Sequence, residues 1–362
     1  MTKTVCDLRL TALSLLICAC AGQRAATRQT RIELPAQVIT AGPPEEIALA
    51  DKDASALFDG GTRAFAAGDY QRAAAHFDRL AEVFPDSANA LPALYDAGLS
   101  HERLKQWDLA LDRFNLYLQH ATTGQDATDA QFHAALAEHQ LGKLTAAVAR
   151  LNALSNQAGL PLQRKGEALV QEAVCQVESG ARAEGERLLR AALALYGNDA
   201  DGAVDPALPA QAEFWLGEIY RSYFNESKLD PATMAAKELG EALETKAQFL
   251  LSAQGHYLRA IRKGDGEWAT ASGFRIGELY EAFHDQLAAA PVPGGLSNEA
   301  QGVYREELTK KVRVLVEKAI RIYEQTLETA QRVGAQSAYV QRTGEALQRL
   351  RKLLLNPAPP AS

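Results

Sequence analysis

Residues 57–85, LFDGGTRAFAAGDYQRAAAHFDRLAEVFP, set the skeleton for much of the chain. A small residue at Gly61, a turn at Gly68-Asp69, then Tyr70, Ala73, Phe77 and Pro85 read as two short antiparallel helices. The skeleton returns three times. Its small position is filled by Gly61, Gly98, Ala135 and Ala173, and its next anchor by Tyr70, Trp107, Leu144 and Arg182. Then come Ala73, Ala110, Ala147 and Gly185, and finally Phe77, Phe114, Leu151 and Leu189. Successive steps in the Tyr70 column are 37, 37 and 38 residues. Four columns keeping one register over three steps specify a serial array of helical hairpins.

A single hairpin cannot bury its apolar face, so each stacks on the next, and stability becomes a sum over neighbouring interfaces. Small residues belong where two helices cross closely, and the aromatic or leucine four residues beyond the second-helix alanine fills the space between. Ala73, Phe77 and Pro85 in this spacing match the tetratricopeptide signature, and residues 55 to about 195 resemble that repeat family. The resemblance implies an all-α fold, a right-handed α-solenoid of tetratricopeptide-like hairpins, with an enlarged divergent C-terminal helical part. It also implies a role in holding other proteins or peptides.

Composition agrees with an all-helical body: 47% of residues are apolar, and the alternation of half-buried strands is nearly absent. The net charge of −7 comes from 38 basic and 45 acidic residues without a dense Lys/Arg block, which disfavours nucleic acid as a partner.

The first residues, MTKTVCDLRLTALSLLICAC, have Lys3 and Arg9, an apolar run Leu10–Ile17, and small residues before Cys20. That run is too short to span a bilayer, which takes about 20 apolar residues. It reads as an export signal. Ile17-Cys18-Ala19-Cys20 resembles the bacterial lipoprotein box, with Cys18 and Asp7 as departures from it. That resemblance implies a signal peptide over 1–19, acyl chains on Cys20, and membrane attachment through them. Ordinary signal cleavage and a merely apolar terminus are the alternatives. With Ala21 and Gly22 after the cysteine, the lipoprotein reading implies the outer membrane, facing the periplasm. Residues 20–53 then form a flexible tether containing Ala41-Gly42-Pro43-Pro44. Outside this segment the only cysteine is Cys175, expected to be a buried small residue rather than a ligand or half of a disulfide.

The array is expected to occupy 54–196, about four hairpins, and to end in the Gly-, Asp- and Pro-rich break of 196–209. Asp199, Asp201 and Asp205 there lack the distal glutamate of a calcium loop and read as a solvated turn. A divergent helical domain follows over 210–355, with the pentads Leu216-Gly217-Glu218-Ile219-Tyr220 and Ile276-Gly277-Glu278-Leu279-Tyr280 placed 60 residues apart. Between them an amphipathic helix is expected over about 231–263, followed by helices over 298 to about 333, ended by Gly334, and over 338–355. The part either caps the array or also docks a specific protein. Residues 356–362, with three prolines, read as a disordered tail.

No catalytic constellation emerges. The seven histidines, His76, His101, His120, His133, His139, His256 and His284, include no pair in zinc-protease spacing beside a glutamate, and no nucleophile elbow or phosphate loop occurs. Neither cofactor, metal nor small-molecule substrate is expected. In a tetratricopeptide array the first helices line the groove. One column there holds Phe58, Tyr95, Phe132 and Val170, and another holds Phe65, Glu102, His139 and Val177. Phe58, Phe65, Tyr95, Glu102, Phe132 and His139 are therefore the candidate peptide groove, unless the aromatics pack between neighbouring first helices.

The function these expectations describe is a non-enzymatic protein–protein interaction scaffold, lipid-anchored in the cell envelope, whose groove takes other envelope proteins. The runs LLSAQGHYLRAIRKGDGEWATASGFRIGELYEAF and APVPGGLSNEAQGVYREEL make residues 210 to 335 similar to tetratricopeptide lipoproteins of myxobacterial-type gliding motility. The first half resembles equally well the repeat modules of outer-membrane assembly and cell-division factors. An accessory part of a peptidoglycan-processing enzyme is the competing class.

Overall fold

The computed structural model describes residues 53–197, 204–230, 234–290, 292 and 297–355. Among these the chain forms thirteen helices and no strand, as the sequence predicts. It divides into two compact units at Gln157/Ala158. The export signal, Cys20, the tether and the tail expected over 356–362 lie outside the described residues.

The first unit holds six helices in three hairpins: α1 (Ala54–Ala66) with α2 (Tyr70–Val83), α3 (Ala90–Arg103) with α4 (Trp107–His120), and α5 (Gln125–Gln140) with α6 (Leu144–Ser155). Asp53 and Asp69 cap α1 and α2, their carboxylates accepting from Ala56 N at 2.7 Å and Arg72 N at 3.1 Å. Each hairpin closes at a left-handed residue: Gly68 (φ 79°), Lys105 (φ 60°) and Gly142 (φ 72°). Lys105 is the only non-glycine with positive φ among the described residues.

The repeated small position has a direct steric cause. A β-carbon on Gly61 would lie 2.6 Å from the Phe77 ring, and one on Gly98 would lie 2.7 Å from the Phe114 ring. Each glycine of a first helix thus receives the ring presented sixteen residues later by the second helix. In the third hairpin Ala135 and Leu151 take these positions, a larger socket residue matched to a smaller knob; both are buried. Ala73, Ala110 and Ala147 are completely buried on the second helices.

The second unit begins with the fourth hairpin, α7 (Leu162–Glu178) and α8 (Arg182–Gly197). Its turn again has a left-handed glycine, Gly180 at φ 93°. The hairpin is tied to the next helix, α9 (Ala207–Glu226), by Arg182 on Glu226 at 2.5 Å and by the Tyr220 hydroxyl donating to Glu186 at 3.0 Å. The unit boundary therefore precedes this hairpin rather than falling in the break of 196–209. Beyond α9 come α10 (Ala236–Arg262), α11 (Gly266–Ala288), α12 (Asn298–Val333) and α13 (Ala338–Leu355). Asp265 caps α11 through Trp268 N at 2.8 Å. Gly334, left-handed at φ 70°, ends α12 as its sequence predicts.

The two pentads sit at equivalent places on α9 and α11. Gly217 faces the ring of Tyr257 from α10, and Gly277 faces the ring of Tyr323 from α12. These are the Gly61–Phe77 contact repeated with longer helices. The second unit is built by the same rule as the first.

Candidate partner-binding surface

The candidate groove residues of the first unit divide by burial. Tyr95, Glu102 and His139 are only 8%, 5% and 7% exposed, whereas Phe58, Phe65 and Phe132 are half-buried. Tyr95 sits edge-on to Phe114 and Tyr117, with centroids 5.8 and 5.5 Å away, and so packs between α3 and α4. Glu102 is held by His133 Nδ1 at 2.8 Å, and the His133 ring stacks on Phe114 at 5.2 Å. Phe58 lies edge-on to Phe77 at 5.7 Å, and Phe65 edge-on to Tyr70 at 5.2 Å. Most of this row thus serves inter-helix packing, the alternative that aromatic residues at helical spacing carry with them. Phe58, Phe65 and Phe132 retain partial exposure on the first helices.

A partly buried charge cluster joins the first two hairpins. Asp78 of α2 accepts from Arg113 Nε at 2.7 Å and pairs with His101 Nε2 at 2.9 Å, while His101 Nδ1 bonds Gln106 Oε1 at 2.7 Å. Burial by itself would lower the His101 pKa, but the bonds to Asp78 and Gln106 outweigh it and the imidazole is raised above 6.5. Burial likewise opposes ionisation of Asp78, and bonds from His101 and Arg113 overcome it, so its carboxyl falls below 3.8.

The second unit carries a larger polar spine along α9, α11 and α13. Glu218 receives Arg221 at 2.7 Å, Arg275 at 3.2 Å, and the Tyr257 hydroxyl. Glu278 receives Arg275 at 2.5 Å and Arg342 at 3.5 Å. Glu281 receives the Tyr323 hydroxyl and Arg349, the latter at 2.5 Å. Burial pushes the Glu218 pKa up, yet the attraction of Arg221 and Arg275, with bonds from Arg221 and Tyr257, holds it at about 2. Arg342 also lies over the Phe274 ring, 4.5 Å from its centroid. Beside this spine opens a cavity of about 390 Å³, lined by Arg221, Phe274, Glu278, Tyr323, Arg342 and Arg349 among others. The groups it presents are mainly guanidinium forks and carboxylates, since Phe274 and Tyr323 are buried, the first under Arg342 and the second on Gly277.

Sequence reading did not find this cavity. Its signal was present in the glycine-glutamate pairs 217/218 and 277/278, whose glutamates lie beside the ring sockets. The arginines that meet them come from residues 57 and 64 positions later. Lys246 was likewise missed. It is fully buried, donates to Phe224 O and Ser227 O at 2.5 Å each at the end of α9, and lies 4.1 Å from the Phe224 ring centroid. Burial lowers its pKa to about 8. Cys175 is buried as expected. Among the described residues no cluster of three or more His, Cys, Asp or Glu side chains has metal-holding geometry, and no helix is long and apolar enough to cross a membrane.

Residues 56–87 match the tetratricopeptide repeat family model. No curated protein matches the chain. Among solved structures, the chain is similar to the C-terminal part of a tetratricopeptide repeat-containing protein from Cytophaga hutchinsonii, at 11% identity and a TM-score of 0.43, over 83% of this chain and 96% of that one. A tetratricopeptide repeats protein from Bacteroides fragilis is 11% identical with a TM-score of 0.31, over 73% and 98%. MamA protein is 12% identical with a TM-score of 0.38, over 55% and 91%. The hairpin architecture itself rests on this chain's own helices and ring sockets, and its first hairpin is the segment that matches the tetratricopeptide repeat.

Proposed function

We propose that this protein is a non-enzymatic scaffold that holds other proteins of the cell envelope, carried on the outer membrane by acyl chains on Cys20. The observation that carries the scaffold reading is the serial stacking of hairpins, which in the second unit opens the cavity of about 390 Å³ along α9, α11 and α13. Stacked first helices present side chains at a fixed repeat, a geometry that suits an extended or helical segment of another protein. The anchoring part of the proposal comes from the sequence of residues 1–20. The similarity of residues 210–335 to gliding-motility lipoproteins makes a motility complex the first assembly to examine.

Affinity capture from solubilised membranes tests both parts. Wild-type protein is expected to fractionate with membranes and Cys20→Ala with the soluble fraction, while both retain a common set of captured proteins. Arg342→Ala with Arg349→Ala should deplete that set without unfolding the chain. Equal membrane association of Cys20→Ala would remove the anchor, and an unchanged set after the arginine substitutions would remove the cavity from the binding surface.

A further inference from the structure

The second unit repeats a socket whose third copy is open among the described residues. Gly217 on α9 takes the Tyr257 ring of α10, and Gly277 on α11 takes the Tyr323 ring of α12; a β-carbon at either would overlap the ring. The residue after each glycine, Glu218 or Glu278, receives an arginine from the next first helix, Arg275 at 3.2 Å or Arg342 at 3.5 Å. On α13 the pattern recurs as Thr343-Gly344-Glu345-Ala346-Leu347, 67 residues after the second copy. Here a β-carbon on Gly344 meets no atom within 4 Å among the described residues. Glu345 is exposed and accepts from Gln341 Nε2 at 2.9 Å, a bond within its own helix. Around Gly344 on the helix, Val340 is half-buried and Gln341, Gln348 and Arg351 are exposed, while Leu347 is already buried within the unit.

We propose that the Gly344 face of α13 docks a tyrosine-bearing amphipathic helix of a partner protein. The two filled copies define the occupant's chemistry. Both place a tyrosine ring over the glycine and give its hydroxyl to a glutamate of the same first helix, Tyr257 to Glu218 and Tyr323 to Glu281; Glu345 matches the first of these. An incoming tyrosine would cover Gly344 and give its hydroxyl to Glu345. The glycine lets the ring approach the helix backbone closely, and the carboxylate selects tyrosine over phenylalanine. This deepens the scaffold reading by naming a docking face and the class of helix it takes.

The probe is a fluorescent peptide copying residues 312–333, the part of α12 that presents Tyr323 to Gly277, titrated with the full chain. Saturable binding is expected, weakened at least about tenfold by Gly344→Leu in the protein or Tyr323→Ala in the peptide, with no further loss when both are combined. Gly344→Leu should melt at the same temperature as wild type or higher, because the added side chain points into open space and leucine favours a helix. No saturable binding up to about 1 mM peptide, or equal binding by Gly344→Leu, would overturn the proposal. So would a dimer of the chain alone that Gly344→Leu abolishes, since the face would then belong to a second copy. These outcomes are independent of membrane capture, where the scaffold reading stands or falls.

Discussion

Tyr323 of α12 lays its ring on the backbone of α11 at Gly277, where any β-carbon would overlap it, and donates its hydroxyl to Glu281. The relationship recurs between Gly61 and Phe77, Gly98 and Phe114, Gly166 and Tyr196, and Gly217 and Tyr257. A first-helix glycine and a second-helix ring form the joint of each of these hairpins. The joint persists while the separation grows from sixteen residues in the first unit to 46 between Gly277 and Tyr323. Conserving the joint rather than the loop length allows long second helices to follow the same plan.

Glycines at joints and glycines in open helix should respond in opposite ways to alanine. Gly98→Ala and Gly217→Ala drive a methyl into Phe114 and Tyr257 and should each cost about 1–3 kcal/mol. Gly240→Ala and Gly302→Ala meet nothing within 4 Å in α10 and α12 and should gain about 0.5–1 kcal/mol. Urea denaturation of the four variants reads the contrast directly.

Lys105 occupies the left-handed turn position that Gly68, Gly142 and Gly180 fill in the other hairpins. A side chain there crowds its own carbonyl, so Lys105→Gly should stabilise the protein by up to about 1 kcal/mol. A rise in melting temperature checks this, and Gly142→Lys should produce the converse fall.

Glu218 ties α9 to α11 while buried against two guanidiniums. Glu218→Gln leaves those cations without their anion and should cost about 3 kcal/mol or more. Because its folded pKa of about 2 lies below the ordinary 4.5, the stabilisation is complete above 4.5 and is lost as pH falls through about 2. Acid titration of stability should therefore be flatter in Glu218→Gln than in wild type.

His101 acts in the opposite direction. Its folded pKa is raised above 6.5, so its contribution is complete below 6.5 and disappears as pH rises through the folded value. Melting temperature followed from mildly acid to alkaline pH should show a fall that His101→Gln removes. Asp78→Asn should remove the same step, since Asp78 holds the imidazolium across the α2–α3 contact.

The array was legible where the joint used one compact register. Gly61, Gly98, Ala135 and Ala173 reveal it because a fixed separation links each to its knob. The fourth hairpin adds Gly166 beneath Tyr196, thirty residues apart, which falls outside that register and so left no trace in the columns. The pentads at 217 and 277 were visible as text, but their partners Tyr257 and Tyr323 lie too far along the chain for periodicity to connect. The third copy at Gly344 escaped because Thr343, Ala346 and Leu347 replace the aliphatic and tyrosine positions that make the motif recognisable. Both columns chosen for the groove fall on first helices of the hairpins. Burial of Tyr95, Glu102 and His139 depends on rings and charges from other helices, Phe114, Tyr117 and His133 among them, which a single-column reading cannot supply.

A double-mutant cycle on Gly277 and Tyr323, read by urea denaturation, tests the joint most directly. Gly277→Ala should cost about 1–3 kcal/mol in the wild-type background and close to nothing once Tyr323→Ala has removed the ring. Equal costs in the two backgrounds would contradict the claim that glycine sockets and aromatic knobs hold these hairpins together.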